Sequence, residues 1–357
     1  ATLMYTGGTT GKPKGVMLSH RNFLTSALAA GVLTPISSQD STCFVLPIFH
    51  VSSWPIFLLH LSGGKVVINK RPDLGEILRL IQDEKCTHMN LVPTIYGWLL
   101  QYPEIDKYDL SSLRMLSYAG SPFPPEVLKQ CIKKFGNIFM QGYGSTETTG
   151  GAVTALLAQY HHIKGQKAKY LASAGHPAPC AEIKIVDECD NELPVGVIGE
   201  ICAKGEHVML GYWKNEALTK DVMRNGWYHM GDMGYIDDKG YLFLVDRKAD
   251  MIVTGGENVY PKEVEDVLYE HPAVMECAVV SSPDDHWGEC VHAVVVLKTD
   301  KKASENELIE HCKSRLAGYK CPKAVDLWDA IPKTIIGKIL RKDIKQKFWE
   351  GRDRGIN

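Results

Sequence analysis

The sequence predicts an α/β chain: a large layered α/β domain carrying a small β-barrel-like subdomain, then a small, mobile α+β domain at the C-terminal end. Three observations predict it. Strand-like and helix-like runs alternate up to about residue 165. From about 172 to 245, short β-rich runs are broken by Gly, Pro, Asn and Asp turns. After Asp246-Arg247 a compact stretch mixes strands and helices again. The division is therefore 1–245, split into an α/β part at 1–168 and a β-rich part at 169–245, and 246–357.

The elements follow in order. Leu3, Met4 and Tyr5 belong to an opening strand, and Ser19 is the N-cap of a helix to about residue 31. Residues 76–84 place Ile77, Leu80 and Ile81 on one helical face, and 88–92 reads as a strand. Proline in the first turn marks a helix over 124–135, and 137–141 is a short strand ending at Gly142. The β-rich part has runs at 181–186, 199–203 and 240–245. The last domain reads as a helix at 261–270, strands at 274–281 and 291–297, and helices at 305–316 and 338–348.

Composition narrows the class. The 357 residues are 45% hydrophobic and 23% charged, as in an ordinary globular protein. A net charge of −2 gives no electrostatic reason for a nucleic-acid or anionic-membrane partner. No apolar run approaches the ~20 residues of a membrane span. The ten cysteines never form Cys-x-x-Cys, which reads as reduced, mostly buried thiols in a cytoplasmic protein. The chain opens inside a strand with no initiator Met, and is read as a piece of a longer protein.

Chemistry is concentrated in a few segments. Tyr5-Thr-Gly-Gly-Thr-Thr-Gly-Lys-Pro-Lys-Gly-Val16 combines backbone N–H groups freed by glycine, hydroxyl donors and two lysines. That is a polyphosphate cradle by composition, with a plain glycine-rich turn as the alternative. It is not a Walker A loop, because Gly7 and Gly11 bracket three residues and Pro13 follows Lys12. In Gln141-Gly-Tyr-Gly-Ser-Thr-Glu147, flanking glycines free the Tyr143 ring to lie against a purine. Thr146 offers a hydroxyl there, and Glu147 a hard oxygen for Mg²⁺. Asp232, after Gly231, suits the two hydroxyls of a ribose. Read singly, each segment is equally a structural turn. The His161-His162 pair is read as solvated loop.

These motifs, with Asp246-Arg247, Gly-Gly-Glu-Asn-Val-Tyr-Pro261 and Pro332-Lys-Thr-x-x-Gly-Lys338, occur in the order and spacing that resemble the adenylate-forming superfamily, and within it an acyl-CoA synthetase. The resemblance runs from the first residues to Lys338. It implies that a carboxylate attacks the α-phosphorus of Mg·ATP to give acyl-AMP and pyrophosphate, and that the thiol of coenzyme A then displaces AMP. Position-matching implies Thr6, Gly7, Gly8, Thr9, Thr10, Gly11 and Lys14 at the β- and γ-phosphates. It implies Tyr143 and Gly144 at adenine, Thr146 and Glu147 at phosphate and Mg²⁺, and Asp232 and Arg247 at the ribose. Lys338 would bridge the carboxylate and α-phosphate from the small domain, its alternative being a surface lysine of a basic tail.

Rotation of that domain is implied just after Arg247, bringing Gly255 and Gly256 to the pantetheine arm. The hinge position is Ala249, where relatives often carry Asp or Lys. His50 matches a residue near the acyl entrance, with a core or helix-cap role as the alternative, and Gly120 matches the acyl-pocket wall. The first alternative is a carrier-protein adenylating enzyme, whose amino-acid type places an Asp in the stretch occupied here by Phe49-His50-Val51. Relatives carry a further segment before the cradle, so the second is a nucleotide-binding but inactive fragment. The expected partners are ATP, coenzyme A and a small carboxylic acid, aliphatic first and aromatic or alicyclic second, with a homodimer left open.

Overall fold

The computed structural model describes residues 1–7, 13–34, 36–70, 73–334 and 337–350. Of the cradle residues, Gly8, Thr9, Thr10, Gly11 and Lys12 lie outside the described residues. The chain separates into two compact units, one comprising Ala1–Phe123 and Val127–Leu244, the other comprising Pro124–Glu126 and the chain from Val245 onward.

In the first unit, β1 (Thr2–Gly7) and β2 (Pro13–Leu18) form an antiparallel hairpin. Ser19 caps α1 (His20–Leu33) in a reciprocal pair with Asn22, fixing the helix start where the chain leaves the hairpin. There follow β3 (Ser41–Phe44), α2 (Trp54–Leu61), β4 (Lys65–Ile68), α3 (Leu74–Glu84), β5 (His88–Leu91) and α4 (Pro93–Gln101). Next come β6 (Met115–Tyr118), α5 (Pro125–Phe135), β7 (Phe139–Tyr143), β8 (Thr154–Leu156) and β9 (His176–Pro177). They build a seven-stranded sheet, β4-β3-β5-β6-β7-β8-β9, with parallel pairing up to β7 and antiparallel beyond. Parallel neighbours need a crossover, which is why each strand from β3 to β6 is followed by a helix. Ile77 and Leu78 of α3, Tyr96 of α4 and Leu128 of α5 close over Leu91, Leu116, Tyr118 and Phe139 of the strands.

The β-rich part holds β10 (Glu182–Val186), β11 (Gly199–Lys204), β12 (Gly211–Tyr212), α6 (Glu216–Val222), β13 (Met223–Arg224), β14 (Trp227–Ile236) and β15 (Leu242–Arg247). Four of its strands form the sheet β10-β11-β14-β13, with β15 beside β14. β12 leaves that group and pairs with β2, extending the cradle hairpin to three strands.

The second unit contains β16 (Ile252–Thr254), β17 (Glu257–Val259), α7 (Pro261–Tyr269), β18 (Val274–Asp284), β19 (Gly288–Leu297), α8 (Glu305–Lys313), β20 (Ala324–Leu327) and α9 (Arg341–Trp349). Its sheet runs β17-β16-β19-β18, with β20 parallel to β19. Successive residues of β18 point to opposite faces: Cys277 and Val279 pack under α7 and α8, whereas Ala278 and Val280 pack under α9.

Two expectations are corrected. The last helix begins at Arg341 rather than at 338. Before it, Gly337 has φ +81° and the Thr334 N–H donates to the Lys338 carbonyl at 2.8 Å. His161 is not solvated. It is buried, with Nδ1–H donating to the Leu157 carbonyl and Nε2 accepting from the Tyr118 hydroxyl at 2.9 Å. Burial holds it neutral by lowering its pKa to about 4. Among the described residues no His, Cys, Asp and Glu cluster could hold a metal ion, and no helix is long and apolar enough to cross a membrane. All ten cysteines are free, eight of them buried, with Cys180 and Cys189 exposed.

Candidate active site

The hairpin register sets Thr6 opposite Lys14, so both flank the cradle's tip from facing strands. Gly15 is packed against the Tyr5 ring and the Trp213 Cβ, where an added Cβ would just touch both at 3.4–3.5 Å. The Lys14 ammonium lies 5.5 Å from the centre of the Tyr212 ring, and the Tyr212 hydroxyl donates to Glu147 Oε1 at 2.8 Å. A lysine near the chain start thus reaches Glu147 through one aromatic side chain. The Glu147 main chain is held too: its carbonyl accepts from the Met209 N–H at 2.7 Å. Burial, reinforced by the Glu147 charge, pushes the Tyr212 and Tyr228 hydroxyls up in pKa, so both stay protonated donors.

β7 delivers Tyr143, whose hydroxyl donates to Asp232 Oδ2 on β14 at 2.8 Å. The adenine and ribose candidates are therefore hydrogen-bonded to each other, and Tyr143 is only 7% exposed. Its neighbouring glycines have a different reason from the one the sequence suggested. A Cβ on Gly144 would lie 1.9 Å from the Gly150 carbonyl oxygen and 2.7 Å from Thr148 Oγ1. Glycine is needed there to let two stretches of backbone touch, and that closeness shapes the single 3₁₀ turn Thr146–Thr148 carrying Glu147. Thr148 Oγ1 accepts from the Ser145 N–H at 2.8 Å, and the chain then passes through positive φ at Thr149 (+54°) and Gly150 (+88°) beneath the Trp54 indole.

Below this turn is a small cavity. Its floor is the sheet: Asn90 of β5, Ser117 of β6 and Met140 of β7 form one row in register, with Ala119 and Gly142 further along. Ala29, Ala30 and Leu33 of α1, with Trp54 of α2, form the apolar roof. His50 and Gly120 are not among the lining residues. His50 caps the turn Val51–Ser53, its Nδ1 accepting from the Ser52 N–H at 3.1 Å. Gly120 makes a positive-φ turn (+85°) directly after Ala119, and a Cβ there would meet nothing.

The remaining candidates belong to the second unit. The Asp246 carboxylate accepts from its neighbour's Arg247 N–H at 2.7 Å and from the Lys262 N–H at 2.9 Å, capping α7, whose own N-cap Tyr260 supplies no side-chain bond. Burial first, then the Glu265 charge, raises Asp246 to about 6 against the opposing pull of Arg341 and the two N–H groups. Arg247 and Ala249 are exposed. Gly255 and Gly256 form the two-residue β16–β17 turn with φ of +58° and +85°, a hairpin geometry that glycine satisfies without strain. A Cβ on Gly255 would meet the Trp287 ring at 2.4 Å, whereas one on Gly256 would meet nothing. Lys338 follows Gly337 in the turn before α9, its N–H donating to Thr334 Oγ1 at 3.1 Å. Three residues on, the Arg341 guanidinium donates to Glu265 Oε1 and Oε2 at 2.7 and 2.5 Å. Sequence reasoning missed Tyr212, Trp54, Asn90, Ser117 and Arg341, and only the aromatic pair Tyr212-Trp213 after a glycine gave any signal.

Known proteins match the chain over most of its length. The AMP-binding enzyme family profile matches residues 1–213, and the profile of the AMP-binding enzyme C-terminal domain matches 263–338. The chain is similar to a feruloyl-CoA synthase of an Amycolatopsis species, 38% identical over 97% of this chain and 69% of that protein. It is also similar to a long-chain-fatty-acid–CoA ligase of Escherichia coli O6:H1, 37% identical over 97% of this chain and 61% of that protein. Among solved structures, o-succinylbenzoate coenzyme A synthetase of Bacillus subtilis, in complex with ATP and magnesium ion, superposes with a TM-score of 0.84. It is 37% identical, over 96% of this chain and 69% of that one.

Proposed function

Because this chain belongs to the AMP-binding enzyme family, and within it to the AMP-forming acid–thiol ligases, we propose that it activates a carboxylic acid with ATP and transfers the acyl group to coenzyme A. A carboxylate oxygen attacks the α-phosphorus, and the bond to the β-phosphate bridging oxygen breaks with its electron pair leaving on pyrophosphate. The coenzyme A thiolate then attacks the acyl carbon, and the carbon–oxygen bond breaks with AMP as leaving group. Neither step needs a protein nucleophile, so catalysis is positioning and charge stabilisation.

In this reading Thr6 and Lys14, with Gly7 and the cradle residues Gly8, Thr9, Thr10 and Gly11, hold the β- and γ-phosphates. Tyr143 and Gly144 form the adenine wall, Asp232 and Arg247 hold the ribose hydroxyls, and Thr146 binds phosphate. Lys338 bridges the carboxylate and α-phosphate, and Gly255 and Gly256 face the pantetheine arm. Glu147 fits Mg²⁺: among the described residues its Oε1 accepts from Tyr212 while Oε2 accepts no hydrogen bond, leaving a hard oxygen for a cation. Such an ion offsets charge on the phosphate oxygens. The cavity beneath Gly142 takes the acid's side chain, its lining including Ala119, directly before Gly120, and Trp54, four residues after His50.

The observation that carries this reading is the set of contacts Lys14–Tyr212–Glu147 and Tyr143–Asp232, which gathers three motif segments and Tyr212 beside an apolar cavity. The test is ATP–pyrophosphate exchange with a panel of carboxylic acids, followed by thioester formation on adding coenzyme A. Acid-dependent exchange is expected. Lys338→Ala is expected to lower it at least a hundredfold, while thioester formation from supplied acyl-AMP persists. Intact ATP binding with no exchange for any acid would overturn the proposal.

A further inference from the structure

The floor of the cavity is not uniformly apolar. Asn90 and Ser117 are direct register partners on β5 and β6, on the face that Met140 of β7 continues. Ser117 Oγ lies 3.0 Å from Asn90 Oδ1 and 3.2 Å from the Met89 carbonyl, so its single proton engages one or the other. Among the described residues the Asn90 amide nitrogen makes no hydrogen bond. Most of the remaining lining is apolar, Ala29, Ala30, Leu33, Trp54 and Met140 among it, and the Ser26 hydroxyl is already engaged with the Thr149 carbonyl. An amide donor with nothing to bond on an apolar wall becomes costly once a ligand shuts out water.

The row's position matters as well. Gly142 leads directly into Tyr143 and the turn bearing Glu147, so the Gly142 end is where an activated carboxylate sits. Met140 lies two residues back along the same strand. At roughly 3.3 Å per residue, the Asn90–Ser117–Met140 row is roughly 7 Å deeper in the cavity. An alkyl chain crossing that row would cover the amide without pairing it, whereas an oxygen at that depth would accept from it.

We propose that Asn90, held by Ser117, is a specificity-determining residue that selects an acid carrying a hydroxyl or carbonyl oxygen at its far end over the plain hydrocarbon acid of the same size. This rests on the acyl-CoA synthetase reading above. It departs from an unsubstituted fatty acid as the first expectation, because the pocket spends a donor on a group such an acid lacks.

The experiment measures thioester formation with the full chain on two matched pairs: 4-hydroxycinnamic against cinnamic acid, and 8-hydroxyoctanoic against octanoic acid. In at least one pair the hydroxylated acid is expected to exceed its partner in kcat/KM by about tenfold or more. Asn90→Leu is expected to bring that ratio to about one or below, and Ser117→Ala to lower it part of the way. Both variants are read by the ratio, which a general loss of folded enzyme leaves unmoved. A ratio near one in both wild-type pairs, or a preference that survives both substitutions, overturns this inference while leaving the ligase reading intact. Thioester from no acid at all, with ATP bound, overturns both.

Discussion

Replacing Gly144 with alanine tests how the Glu147 turn is built. The new Cβ would sit 1.9 Å from the Gly150 carbonyl oxygen, about 1.4 Å inside a comfortable carbon–oxygen approach of ~3.3 Å. It would also sit 2.7 Å from Thr148 Oγ1, the atom that accepts from the Ser145 N–H at 2.8 Å. Neither neighbour is the free end of a flexible chain: one is backbone, the other half of a capping pair. Overpacking of this kind costs about 1–3 kcal/mol, and a lost cap adds about 1 kcal/mol. Restricting the unfolded chain returns about 0.5 kcal/mol. The expected net loss is about 2–3 kcal/mol, a fall in Tm of roughly 4–10 °C for a unit of this size. Gly142→Ala is the internal control. Its Cβ would lie 3.4 Å from Gly151, an ordinary contact, and a change below about 1 kcal/mol is expected. Calorimetry gives both numbers, and ATP-dependent stabilisation should also shrink in Gly144→Ala alone. Equal stability of the two variants would refute the account of the turn.

Two further perturbations separate other parts of the structure. Tyr143→Phe deletes the 2.8 Å bond to Asp232, and about 1 kcal/mol of stability should go with it, together with a severalfold rise in KM for ATP; unchanged unfolding would show the bond to be idle. Asp246 gives a pH dependence of defined sign. Its folded value of about 6 exceeds the ~3.9 of an unfolded carboxyl, so the folded state holds the proton more tightly, and stability is lost as pH rises through that window. Asp246→Asn removes the titration. Relative to wild type, the variant should gain on the order of 2 kcal/mol between pH 4 and pH 7.5 in urea unfolding, and a flat or opposite difference would exclude the mechanism.

The reading of the chain succeeded where chemistry is local. Proline in the first turn and polar caps announce α1, α5 and α7 to within a few residues, because capping depends on near neighbours. The phosphate, carboxylate and lysine motifs are legible for the same reason. The solvated reading of His161 failed since nothing within a few positions of it reveals the Tyr118 hydroxyl, 43 residues earlier, that takes it into the core. The last helix was begun too early because Gly337 and Thr334 close a turn whose bond to the Lys338 carbonyl competes with helix.

By itself the sequence marked the atoms proposed to meet a nucleotide: the hydroxyls and lysines around the cradle, Glu147, Asp232, Arg247 and Lys338. Only the tertiary structure decided what those atoms meet. Sheet pairing carries β12 to β2, and so puts Tyr212 between Lys14 and Glu147. Parallel register sets Asn90 beside Ser117 on a cavity floor. The physical reason is range. Propensity, caps and turn chemistry act over a few residues and are written in the chain, whereas register and close packing join residues tens to nearly two hundred positions apart, whose proximity exists only once the sheet has formed.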